Sequence, residues 1–137
     1  MYLEQLIYDR TQADLDNDTD KAYISYSDLN RVESACAELA VLLNVTITTK
    51  TWVMSDYRYE DDMVRLRANL KTLQDAYYLA PGTPAIPPRI TYTNYSQAND
   101  IEKIIHDIWM LYRQVQAGTQ RLAFKLGTKL IGNREVN

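Results

Sequence analysis

Four aspartates alternate along Asp14-Leu15-Asp16-Asn17-Asp18-Thr19-Asp20, a spacing that presents carboxylate oxygens much as a calcium loop does. Such a loop needs oxygen ligands at positions 1, 3 and 5, a glycine at 6 and a bidentate acid at 12. Counting from Asp14 places Thr19 and Ser25 at positions 6 and 12; counting from Asp16 places Lys21 and Ser27 there, and both registers fail. The stretch reads instead as a solvated acidic turn after a short helix capped by Thr11. His106 is the chain's single histidine, predicted on the outer face of a helix with Glu102 one turn back. A metal site would want a second His or Cys beside it, and catalysis would want a nucleophile and an orienting group. Cys36 is the single cysteine, so no disulfide forms within the chain, which is compatible with a reducing compartment. It lies on an apolar seam and reads as a small buried residue, because a reactive thiol needs exposure and electropositive surroundings. Glu33 and Glu102 occupy equivalent positions in two helices. A converging carboxylate pair would serve acid/base chemistry, but their setting predicts residues that flank the core and pair with basic partners. No catalytic, metal-binding or cofactor-binding residue is predicted, no small-molecule substrate is implied, and the expectation is a protein that is not an enzyme.

Three helices must position these residues. The first has apolar positions Leu29, Val32, Cys36, Leu39 and Leu43, with Ser27 as its predicted N-cap. The second has Met63, Leu66, Leu70, Leu73 and Tyr77, with Glu60, Asp61 and Asp62 at the end where the helix dipole favours negative charge. The third has Ala98, Ile101, Ile105, Ile108, Tyr112 and Val115, with Ser96 as N-cap. Alternating spacings of three and four make each stripe suited to shallow-angle packing, so the predicted fold is mainly α: a three-helix bundle with a short N-terminal helical segment.

The first and third helices also match each other. Tyr26-Ser27-Asp28-Leu29-Asn30-Arg31-Val32-Glu33 aligns with Tyr95-Ser96-Gln97-Ala98-Asn99-Asp100-Ile101-Glu102 at a constant offset of 69, with identities at Tyr, Ser, Asn and Glu. Ala35 and Leu42 align with Ile104 and Leu111, a second apolar row beside the seam. A capping role is the expectation for Asn30 and Asn99, since each sits three residues past the Ser, where a side chain reaches back to the cap.

Two connectors differ in kind. Val45-Thr46-Ile47-Thr48-Thr49 alternates and is rich in β-branched residues, which predicts a short strand or an extended arm. Pro81-Gly82-Thr83-Pro84-Ala85-Ile86-Pro87-Pro88 cannot be helical and predicts a stiff link. All four glycines and four prolines of the 137 residues lie from Pro81 onward, which excludes a turn-rich β-sandwich for the chain before it. The stretch from Gln120 to Ile131 alternates Leu122, Phe124 and Leu126 against Arg121, Ala123 and Lys125, and this predicts a C-terminal strand or hairpin. Such a strand would pair either with Val45–Thr49 or with an adjacent chain. The expected organisation is a single domain over 1–137, with a helical body over about 9–117 and an extended or β tail over about 118–137.

Residues 1–62 carry thirteen acids against five bases, and residues 113–137 carry one acid against five bases. An acidic head and a basic tail attract each other within a chain or between copies. The few basic residues in an acidic protein speak against nucleic-acid binding. No window holds the roughly 18 apolar residues of a membrane helix, and Glu4 and Asp9 interrupt the start where a signal peptide would be apolar, so synthesis in the cytosol is expected. Eleven tyrosines accompany one phenylalanine. Many fall at predicted helix ends and connectors, either closing the ends of the bundle or forming an interface, since Tyr buries area while its hydroxyl keeps a polar partner. The candidate interface residues are Tyr57, Tyr59 and Tyr92 in connectors and Arg121, Leu122, Phe124, Lys125 and Leu126 in the tail.

Taken in order, Tyr8-Asp9-Arg10-Thr11-Gln12-Ala13-Asp14, Asp28-Leu29-Asn30-Arg31-Val32-Glu33, Trp52 to Asp56 and Ala98-Asn99-Asp100-Ile101-Glu102-Lys103-Ile104 resemble a family of small phage and prophage proteins of Firmicutes. The resemblance covers most of the chain and departs from the family at the short acidic link Asp16–Asp20, where relatives carry a longer helical insertion. Its members are encoded among tail, baseplate and fibre genes. The resemblance therefore implies a virion structural component, made in the host bacterial cytoplasm, that forms homo-oligomers and contacts other tail or baseplate proteins. A phage-encoded module binding a host protein is the alternative.

Overall fold

The computed structural model describes the backbone of residues 1–136 and the side chains of residues 1–119. Helix α1 (Gln12–Asp16) is followed by three long helices, α2 (Tyr26–Leu43), α3 (Glu60–Asp75) and α4 (Tyr95–Val136), with single 3-10 turns at Tyr2–Glu4 and Asp20–Ala22. Each long helix packs on the other two. The predicted stripes face one another: Val32, Cys36 and Leu39, Leu66, Leu70 and Leu73, and Ile101, Ile105 and Ile108 are all essentially inaccessible. Burying nine such side chains supplies on the order of 1.5–3 kcal/mol each, which is what holds helices of this composition together.

Local signals set the helix starts, two of them shifted from expectation. Thr11 caps α1 as predicted: its hydroxyl accepts from Asp14 N at 3.3 Å, and Asp14 accepts from Thr11 N at 2.9 Å. For α2 the cap is Ser25 rather than Ser27, with Asp28 reaching back to accept from Ser25 N at 2.8 Å. The reason is that Asp28 stands three residues after Ser25, the spacing a capping box requires. At the start of α4, Asn94 rather than Ser96 accepts from the Gln97 amide at 2.9 Å. Helix α2 stops at Asn44, which takes the left-handed conformation (φ 57°) while Val45 N donates back to Ala40 O at 3.0 Å.

The predicted β element is not present: no strand occurs among the described residues. Residues 45–53 run irregularly over α2 and α3, and helix side chains take up their backbone groups in place of a strand partner. Thr48 O accepts from Asn69 at 2.7 Å and from Arg65 at 3.0 Å. The stretch 120–131 is neither strand nor hairpin, because α4 continues through Gly118 to Val136. A glycine inside a helix costs only about 1 kcal/mol, and alternation over a short apolar run does not separate strand from helix. The helix is 42 residues long, about 63 Å at 1.5 Å per residue. Its buried face ends near Trp109, and residues 113–119 are exposed, so it extends beyond the body.

Cys36 lies at the centre with 0% exposure, and burial, reinforced by Glu33, pushes its thiol well above the usual range. A thiol-specific alkylating reagent is therefore expected to leave the native chain unmodified. Modification should track global unfolding, slower than in the denatured chain by at least about a thousandfold; rapid labelling under native conditions would contradict this packing.

Candidate functional site

The internal repeat is a structural repeat. Every buried residue of α2, namely Leu29, Val32, Glu33, Ala35, Cys36, Leu39 and Ala40, has a buried counterpart in α4 exactly one offset of 69 further on. Its polar members do the same work twice. The Asn30 amide spans both backbone groups of Trp52, accepting from its N–H at 2.7 Å and donating to its carbonyl at 2.9 Å. Asn99 spans Arg10 in the same way, accepting from its N–H at 3.1 Å and donating to its carbonyl at 2.8 Å. Asn30 and Asn99 thus hold incoming chain segments, and the capping role expected of them is not what they perform.

The glutamates complete each grip from one helical turn further along. Glu33 accepts from Lys50 N at 3.0 Å, from the Trp52 indole at 3.1 Å, and from both terminal nitrogens of Arg65 on α3. Glu102 accepts from Ile7 N at 3.0 Å, from Arg10 at 2.8 Å, and from Arg31 of α2 through two nitrogens. Each carboxylate is 1–2% exposed and meets four donors, so its lone pairs are committed to the fold. A buried carboxylate persists only with such pairing. Burial alone would push the Arg31 guanidinium down, but Glu102 and Asp28 more than offset this and hold it above the ordinary value. Arg65 is raised chiefly by its bond to Glu33. The Arg10 guanidinium is fully enclosed, donating also to Ile7 O and Lys21 O.

The remaining chemical candidates have ordinary partners. His106 is half-buried, its ring against Tyr8 with centroids 4.6 Å apart, Nε2 3.2 Å from the Tyr8 hydroxyl and Nδ1 3.2 Å from Asp107. Asp107 also accepts from Lys103 at 2.7 Å and from Thr83 at 3.1 Å. Burial pushes its carboxyl up, but these donors outweigh it and hold it below the usual range. In the acidic turn, Asp14 caps α1, Asp16 accepts from Gln12, and Asp18 accepts from Tyr23. Among the described residues no three His, Cys, Asp or Glu side chains converge on one point.

The predicted interface tyrosines divide. Tyr57 and Tyr59 are 76% and 65% exposed, their rings 6.1 Å apart, on a loop that also presents Val53 and Met54 to solvent. Beside this loop is a cleft of about 240 Å³ lined by Ile24, Tyr26, Leu29, Trp52, Asp56 and Arg58, among others. Tyr92 is not at the surface. It is buried in the core at φ 51°, and Gln97 stabilises this left-handed turn by accepting from both Thr91 N and Tyr92 N. Its hydroxyl has no hydrogen-bond partner among the described residues, and burial pushes it far above the usual tyrosine range. Arg121, Leu122, Phe124, Lys125 and Leu126 fall on the α4 backbone, with side chains outside the described residues. Arg10, Trp52 and Arg65, which meet the repeated Asn and Glu side chains, are not marked for that role by their own type or spacing. The identity of those two residue types at one offset was the available signal.

No protein-family model, curated protein or solved structure matches the chain. Its geometry defines a helical body whose connectors are gripped by side chains and whose surface presents an aromatic loop. Glu102→Ala, which strands two guanidinium groups, is expected to destabilise by about 3–5 kcal/mol in urea unfolding. Asn30→Ala and Asn99→Ala should each cost about 1–3 kcal/mol, and equal midpoints for variants and parent would refute the clasps. Tyr92→Phe removes a hydroxyl that gains nothing from burial and is expected to raise stability by about 1 kcal/mol; a lower midpoint would reveal a partner for that oxygen.

Proposed function

We propose that the chain is a non-enzymatic structural component of a phage virion, an adaptor in the tail, baseplate or fibre attachment that assembles through protein–protein contacts. The observation that carries this reading is the loop of Val53, Met54, Tyr57 and Tyr59, which exposes large apolar and aromatic side chains together. Single exposed apolar residues need no explanation, but a cluster with paired tyrosines is the composition of a protein interface. The residues behind the family resemblance support a scaffold role as well. Arg10, Asn30, Arg31, Glu33, Asn99 and Glu102 all hold chain segments together. None of the described helices is long and apolar enough to cross a membrane.

A second reading, a module that binds a host protein, draws on the acidic first half of the chain, where residues 1–62 carry thirteen acids against five bases. Mass spectrometry of purified particles of the encoding phage separates the two. A structural component is present at stoichiometric level, and absence from particles would sink the adaptor reading. The double variant Tyr57→Ser/Tyr59→Ser is expected to lower incorporation at least tenfold while leaving the melting temperature unchanged. Incorporation at the parental level would show that the loop is not the contact.

A further inference from the structure

His106 stands between the two kinds of group that turn an imidazole into a working base. On one side is Asp107, 3.2 Å from Nδ1. Burial opposes the charge of this carboxylate, but Lys103 at 2.7 Å, His106 and the Thr83 hydroxyl at 3.1 Å outweigh it and keep it ionised. An ionised carboxylate only accepts, so Nδ1 carries the ring proton and the lone pair lies on Nε2. The atom facing Nε2, at 3.2 Å, is the Tyr8 hydroxyl, which donates to it. A hydroxyl, a base within hydrogen-bond reach and a third group that orients the base are the parts by which proteins activate an oxygen nucleophile. Nothing local in the sequence joins them, since 98 positions separate Tyr8 from His106.

The chain holds Tyr8 in this position from both sides. Ile7 N donates to Glu102, and Asn99 spans both backbone groups of Arg10, so α4 fixes the segment around Tyr8 as well as the ring it meets. The Lys103 ammonium lies 5.6 Å from the centre of the Tyr8 ring, where a cation favours the negative charge that grows on the phenol oxygen as its proton leaves. Tyr8 is 38% exposed and within reach of a reagent. From this constellation we infer that Tyr8 is a covalent acceptor site for an acyl group, with His106 as its base and Asp107 as the residue that positions the base. The co-reactant is an activated acyl ester. The phenol oxygen attacks the acyl carbon while its proton passes to His106 Nε2. A new ester C–O bond forms, and the bond to the leaving alkoxide or phenolate breaks with its electron pair. The proton on Nε2 then passes to that leaving group or to water. The inference does not rest on the virion reading, since it uses no residue of the Tyr57–Tyr59 loop.

The probe is p-nitrophenyl acetate, applied to the full-length protein, with acetylation followed residue by residue by peptide mass spectrometry. Exposure alone ranks Tyr57, Tyr59 and Tyr78 ahead of Tyr8. Activation reverses that order: Tyr8 is expected to be acetylated at least about tenfold faster than any of them, a modest share of what base catalysis supplies. His106→Gln keeps an acceptor oxygen for the hydroxyl but takes no proton, and should bring Tyr8 down to the rate of its exposed counterparts. Asp107→Asn should lower the Tyr8 rate severalfold relative to Tyr57 in the same chain, a ratio that a uniform loss of stability does not move. Tyr8→Phe should abolish the fast phase of p-nitrophenolate release. Tyr8 reacting no faster than Tyr57, acetyl retained on His106 in place of Tyr8, or an unchanged Tyr8 rate in His106→Gln would each overturn the inference. Where a variant fails to fold, the ranking of tyrosines in the parental protein decides alone, and in urea the advantage of Tyr8 should vanish.

Discussion

Backbone amides and carbonyls that leave a helix must find partners, and where the described residues form no sheet, those that neither water nor a turn serves fall to side chains. The three connecting segments of this chain run against the helices, where water does not reach all of their polar groups. Helix residues meet the demand. Asn30 and Glu33 serve residues 50–52, Asn69 serves Thr48, Asn99 and Glu102 serve residues 7–10, and Glu38 accepts from both Tyr2 N and Leu3 N. Placing carboxylates there forces a further condition, since each must be neutralised. Arg31 and Arg65 do so from neighbouring helices, which fixes those helices in register as well as in contact.

Such an arrangement is not an economical source of stability. A well-packed apolar substitute for a buried ion pair is often as stable, whereas removing one partner is costly. The return is definition: a seam of Leu and Ile tolerates sliding by a turn, but Glu102 can meet Ile7 N, Arg10 and Arg31 together in one arrangement only. The scaffold that results presents Tyr57 and Tyr59 from a loop whose base, Trp52, is fastened at backbone and indole alike.

The sequence announced the helices because their stripes carry the 3.6-residue period over many turns, and Val32, Leu70 and Ile105 are core as their spacing requires. It was less informative wherever one residue type has two uses. Asn30 and Asn99 stand where a capping partner stands, yet the caps are Ser25 and Asn94, and the asparagines are spent on segments 22 and 89 residues away. Val45–Thr49 has strand composition without a strand, because strand formation needs a partner and here helix side chains take that place. Tyr92 looks like its exposed counterparts in a connector, and only the turn enforced by Gln97 turns its ring inward. Leu122, Phe124 and Leu126 alternate, but a helix already propagating from Tyr95 outweighs a short alternating run. Of the candidate site, the Tyr57–Tyr59 loop was readable from composition, while Arg10 and Trp52 were not, since nothing local to them marks the helix that grips them.

The asparagine clasps touch main-chain atoms, which every residue but proline supplies in full. Positions in the connectors that are held only through their backbone are consequently open to sequence drift, whereas each Asn and Glu on the helices is fixed by geometry. Substitutions should accumulate unevenly over time, fast in the gripped strands of chain and slow in the gripping faces. The segments that α2 and α4 hold, Thr49-Lys50-Thr51-Trp52 and Ile7-Tyr8-Asp9-Arg10, share no residue at matching positions, as grips on amides and carbonyls permit.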